Sequence, residues 1–321
     1  MLDRPSIAAC RTVVTTALLC LGLLTACQQG DAPTGAAIGV AARQAPQAAT
    51  KPVAAAEVLR DRLLARDGAG FARLAVPPAL HAQLVEGWSD GRSRWPLDEL
   101  PLDAKLPKML AALQEKNAES KLMATFRRQF AGADRDIDDA IRTLVQFAGS
   151  YVQEEADYSP EQREHTTQAL AALGSWALAA PLSDPKHAQP FFAALDAAAR
   201  RSGIDGKAGN AAFARLGMQA SLNRLSPFIA TLLAQLRTQY GLDVDAALRG
   251  MEIRLLEQTG DSARLRLRYT LAGSEIDAIV PAVRIDGHWY LADFVRRAEA
   301  SLAGKSGGNP GEAGVKNFTS P

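Results

Sequence analysis

"ARLRLRY", residues 263–269, alternates without a break: Ala263, Leu265, Leu267 and Tyr269 fall on one side, Arg264, Arg266 and Arg268 on the other. A period of two is that of a β-strand with one face buried and one wet. Working outward, "MEIRLLEQ" (251–258) is a second strand, joined to the first through Thr259, Gly260 and Asp261. Downstream, "EIDAIVPAVRI" (275–285) and "HWYLADF" (288–294) flank Asp286 and Gly287, a pair suited to a tight hairpin. The expectation is an antiparallel meander of about four strands. So small a sheet needs helices over its apolar face.

Those helices lie upstream. Leu106, Met109, Leu110 and Leu113 fall at i, i+3, i+4 and i+7, and Ile137, Ile141, Leu144, Val145, Ala148, Tyr151 and Val152 extend the same rhythm over a longer segment. "SPEQ" offers Ser159 as N-cap, Pro160 at the first helical position and Gln162 where a capping box wants it. Ser226 and Pro227 repeat the device before Ile229, Leu232, Leu233, Leu236 and Tyr240, and Gly241 supplies a stop. The fold class expected is α+β, a mostly helical body with a small C-terminal antiparallel sheet.

At the other end, Arg4 and Arg11 precede a run from Thr12 to Ala26 that carries no charge. It is short of the ~20 apolar residues that span a bilayer as a helix, and it ends in small residues, the layout of a cleaved signal peptide. Leu24, Thr25, Ala26 and Cys27 resemble the lipobox of bacterial lipoproteins. The resemblance implies cleavage before Cys27 and attachment of diacylglycerol and a further acyl chain such as palmitate, enough for permanent anchoring. Gln28 in place of aspartate implies sorting to the outer membrane of a diderm bacterium, on the periplasmic face. The other cysteines, Cys10 and Cys20, lie in the leader, so the mature chain would have no internal disulfide.

The expected division is a signal peptide at 1–26, a lipid-anchored tether at 27–53, a helical region at 54–248, the meander with a closing short helix at 249–302, and a polar tail at 303–321. Removing the leader leaves 34 basic and 34 acidic residues. A balanced chain lacks the basic excess that nucleic acid binding requires, so no nucleic acid partner is expected.

"VRIDGHWYLADF" (283–294) looks like the closing hairpin of cone-shaped domains of the NTF2-like superfamily, and "LLARDGAGFARLAVPPALHAQLVEGW" (63–88) is similar to their helical opening. The two halves would be separated by a long helical insertion near Asp98 to Tyr240. The resemblance implies a pocket lined from the sheet, with Tyr269, Asp277, His288, Tyr290 and Asp293 as its polar residues and Asp277 with His288 as a conceivable acid–base pair.

Arg264, Arg266 and Arg268 could face an anion, or be neutralised across the sheet by Glu252, Glu275 or Asp277. Glu161 and His165 share a helical face at i, i+4 near Glu154, Glu155 and Asp157, the spacing of a carboxylate–imidazole metal site, but a solvated acidic helix end explains them better. "DRDIDD" (134–139) starts like a calcium loop but has Asp139 for the required glycine and Val145 for the closing glutamate, so a helix N-terminus explains it better. No nucleophile elbow, phosphate loop or zinc spacing is present, so no catalytic residue, metal or cofactor is assigned. The function expected is a lipid-anchored envelope module that binds or scaffolds an envelope protein or small ligand. The alternative is a small-molecule hydrolase or isomerase with an NTF2-like pocket.

Overall fold

The computed structural model describes residues 48–99, 105–154 and 158–304; the leader, Cys27 and the tail beyond Gly304 lie outside the described residues. In chain order the helices are α1 (Pro52–Leu64), α2 (Gly68–Leu74), α3 (Pro78–Ser89), α4 (Leu106–Leu113), α5 (Ala118–Gln129), α6 (Asp134–Glu154), α7 (Pro160–Ala179), α8 (Pro185–Ser202), α9 (Asn210–Tyr240) and α10 (Val244–Arg249). The sheet follows as β1 (Glu252–Thr259), β2 (Ser262–Leu271), β3 (Ser274–Ile285) and β4 (His288–Leu291), and α11 (Ala292–Leu302) closes the domain. The class is α+β.

All four strands pair antiparallel in sequence order. The turns explain why. Asp286 and Gly287 have φ of 50° and 80°, and Ala272 and Gly273 have 51° and 82°. Positive φ at both central residues marks the hairpin turn whose twist matches that of the strands. Leu265 faces Val280 and Leu267 faces Ala278, so the apolar side of "ARLRLRY" meets the apolar side of β3.

The helical stripes bury as their spacing predicts: Leu106, Leu110 and Leu113 in α4, Ile137, Ile141 and Val152 in α6, and Leu233 and Leu236 in α9. Ser159 caps α7, its hydroxyl accepting the N–H of Gln162 at 3.1 Å. The reciprocal half of the capping box is absent, because the Gln162 amide oxygen accepts from Arg296 instead.

Two expectations need correction. Ser226 and Pro227 do not open a helix. α9 runs through them, and the Ser226 hydroxyl donates back to the carbonyl of Leu222 at 2.9 Å, so it cannot cap anything downstream. The break is at Gly217, whose φ of 74° and ψ of 170° kink α9 seven residues after its start. The folded domain also begins earlier than residue 54. Ala49 is buried and bridges to Trp289 of β4, whose N–H donates to its carbonyl at 2.7 Å.

The helices and the sheet are not separate bodies. One core cluster joins Leu59, Phe71, Leu84, Trp88, Leu110 and Phe213 to Leu265, Leu267 and Trp289. A second joins Phe126, Ile141, Trp176, Leu233 and Leu236 to Leu271 and Ile276. The sheet is thus a wall common to both cores, and residues 248–249 mark a change of secondary structure within one domain.

Candidate functional site

The polar side chains of the sheet converge where α7 runs beside β3. β4 pairs with β3 only from Ala282 to Ile285, so among the described residues the first part of β3 has no neighbouring strand on that side. Gln168 of α7 takes the place of one. Its side-chain oxygen accepts the N–H of Asp277 at 2.9 Å, and its nitrogen donates to the carbonyl of the same residue at 3.1 Å. An exposed strand edge is thereby satisfied without another strand.

On the polar face of β2 and β3, Asp277 lies opposite Arg268 in register. Arg266 grips its carboxylate with two prongs, at 2.8 and 2.6 Å, and Arg268 adds a third contact at 3.0 Å. The hydrogen bonds from Arg266 do most to hold this carboxyl down, to about 2. Arg264 lies 3.4 Å from both Glu257 and Glu161. The arginine ladder is therefore committed within the chain. Asp277 serves two of its members, and Glu252, placed among its neutralisers from sequence, pairs with Arg254 instead.

His165 and Tyr269 form the other polar contact of this junction, with Nε2 and the phenol oxygen 2.7 Å apart. Burial lowers the imidazole below its ordinary range, against the opposing pull of Asp293, and burial raises the phenol. The pair is neutral near pH 7, so the contact is a hydrogen bond between an uncharged imidazole and an uncharged phenol, its direction set by the imidazole tautomer. Asp293 binds Arg296, which also reaches Gln162.

Of the five residues expected to line one pocket, Tyr269 and Asp293 both face His165, while Tyr290 and His288 lie away from that junction. Tyr290 is 2% exposed and belongs to the core. His288 lies at the hairpin, its Nδ1 3.1 Å from the carbonyl of Asp286. Ile285 is opposite His288 and Arg268 is opposite Asp277, which puts Asp277 and His288 at opposite ends of β3, roughly 26 Å apart at the usual rise per residue. They cannot act as an acid–base pair. Strand parity in the sequence does not place these residues on one face, and the register of β3 with β4 separates them.

The calcium-like run is a helix start. Asp134 accepts the hydroxyl of Ser183, and Asp138 and Asp139 pair with Arg142. Among the described residues no group of three His, Cys, Asp or Glu side chains could hold a metal. No described helix is long and apolar enough to cross a membrane.

Sequence reading missed one feature. An open groove of about 660 Å³ lies between the α1–α2 turn and α9, lined by Ala65, Arg66, Asp67, Asn223, Ser226, Pro227, Ala230 and Thr231. Arg66 holds φ at 60°, where glycine is usual, and completes the end of α1: its N–H reaches Leu63 and that of Asp67 reaches Arg62. Its guanidinium then turns to Asp245 of α10 in a two-pronged ion pair. Pro227 brings no N–H, so the i→i−4 bond from its position to the carbonyl of Asn223 is not made at the groove. The signal in the sequence was a proline inside an otherwise unbroken apolar stripe.

Comparison with known proteins adds one match. A segment of 52 residues is 44% identical to part of the uncharacterized protein YqhG of Escherichia coli (strain K12). The alignment covers 16% of this chain and 17% of that protein, so each is mostly outside it. No protein-family description and no solved structure matches the chain.

Proposed function

We propose that the chain is a lipid-anchored protein of the cell envelope, held on the periplasmic face of the outer membrane, that works as a binding or scaffolding module. The order Leu24-Thr25-Ala26-Cys27 behind an uncharged run supports the anchor. The open groove between helices carries the binding half of the reading, since its lining mixes Ala65, Pro227 and Ala230 with the polar groups of Asp67, Asn223 and Thr231. Its volume suits a small ligand or a few side chains of a partner. Anchoring would raise the effective concentration of any partner in the same membrane without a new contact.

A photo-crosslinking residue at Asn223, in intact envelopes, tests this. The reading expects a discrete adduct from Asn223 and none from the same probe at exposed Arg128. Equal labelling at both positions, or none at either, contradicts it.

The His165–Tyr269 contact favours a second reading, a small-molecule hydrolase or isomerase, because an imidazole kept neutral by burial is a competent general base. Turnover of an activated ester by the purified chain, lost in Tyr269→Phe, would support it. Turnover unchanged in that variant would remove it.

A further inference from the structure

β1 is paired on one side only. Among the described residues no strand lies beyond it, and two of the most exposed large apolar side chains are adjacent on it: Leu255 at 44% and Leu256 at 47% exposed. We propose that β1 is the docking edge for a second copy of this chain, aligned antiparallel across a two-fold axis at Leu255 and Leu256, so that two four-stranded sheets become one.

The bulge makes this symmetric. Arg254 lies opposite Arg266 and Glu257 lies opposite Arg264, which leaves Leu256 as the extra residue. Arg266 and Arg264 share the polar face of β2, so Arg254 and Glu257 share it too. In a regular strand, residues three apart point to opposite faces. A two-fold axis normal to a sheet pairs only residues on the same face, so an unbulged strand would forbid this alignment. With the bulge, Arg254 meets Glu257 of the other copy, Leu255 meets Leu256, and Ile253 meets Gln258, each contact occurring twice.

The charges are therefore self-complementary about the exposed leucines. Their present engagements are weak competitors. Arg254 holds Glu252 at 2.9 Å with side chains 70% and 57% exposed, and Glu257 stands 3.4 Å from Arg264 with 61% and 43% exposed. Exposed pairs of this kind contribute little, so redirecting them costs little. An unrelated strand could use the same backbone edge but would lack the Arg–Glu match on both sides of the leucines. One strand pairing buries less than a standard interface, which puts the dimer in the weak, concentration-dependent class. The proposal does not depend on the lipid anchor.

Sedimentation velocity of the purified full chain in detergent micelles, over a concentration series, tests it. The wild type should pass from monomer to dimer. Arg254→Glu and Glu257→Arg should each weaken the dimer about tenfold, by placing like charges opposite twice, and the double reversal should restore it. Leu256→Asp should leave a monomer whose circular-dichroism melt matches the wild type, since that side chain is exposed. A wild type that stays monomeric, single reversals without effect, a double reversal no better than the singles, or association seen only with lipid vesicles or another protein would each overturn the proposal.

Discussion

The side-chain amide of Gln168 holds both backbone groups of Asp277, accepting its N–H at 2.9 Å and donating to its carbonyl at 3.1 Å. A helix side chain thus does what a neighbouring strand would do, and α7 becomes part of the sheet's hydrogen-bonding plan. The contact also sets where Asp277 stands relative to Arg266 and Arg268.

Gln168→Leu removes both bonds and leaves a strand edge unsatisfied. The expected loss is about 1–3 kcal/mol, at the lower end because the site is only partly buried. Amide hydrogen exchange at Asp277 should accelerate, while exchange at Leu267, paired between β1 and β3, should change far less.

Asp277 predicts an acid-sensitive step. Its carboxyl is lowered in the folded state, so its ion pairs stabilise fully above the ordinary carboxylate range and lose that contribution as pH falls through about 2. Asp277→Asn should lack this step between about pH 4 and pH 2. Thermal melts across that range check it.

His165 predicts a second step at milder pH. Its folded value is lowered by burial, with Tyr269 on β2 and Asp293 on α11 facing it. Below about 6.5 the unfolded chain takes the proton first, so stability is full above that pH and declines as pH falls from there through the lowered folded value. His165→Gln should flatten the curve below about pH 6.5.

Arg66 predicts the largest effect of a single charge. Its side chain is 7% exposed and that of its partner Asp245 is 20% exposed. Asp245→Asn leaves a buried guanidinium without its counter-ion, which should cost about 3 kcal/mol by urea titration. Arg66→Gly should cost less, because glycine relieves the positive φ at the same position.

These sites also show where sequence reading reached and where it stopped. Leu265 and Leu267, the Asp286–Gly287 turn and the stripe on α6 were legible because each is a local pattern imposed by a single period or a single turn. Pro227 misled because the usual role of proline at a helix start is a local rule, and here the apolar stripe from Leu225 to Leu236 outweighed the one hydrogen bond lost. Ala49, Gln168 and Arg66 carried no local signal. Their partners, Trp289, Asp277 and Asp245, are far along the chain, and only the packed structure brings them together. For the same reason the sequence did not show that His288, at the start of β4, pairs with the far end of β3 from Asp277.

Intact-mass analysis of the amino-terminal peptide from the natively expressed protein tests the anchored placement most directly. The account predicts a chain that starts at Cys27, with the sulfur carrying diacylglycerol and the amine acylated. An unmodified Cys27, or a first residue at any other position, would contradict it.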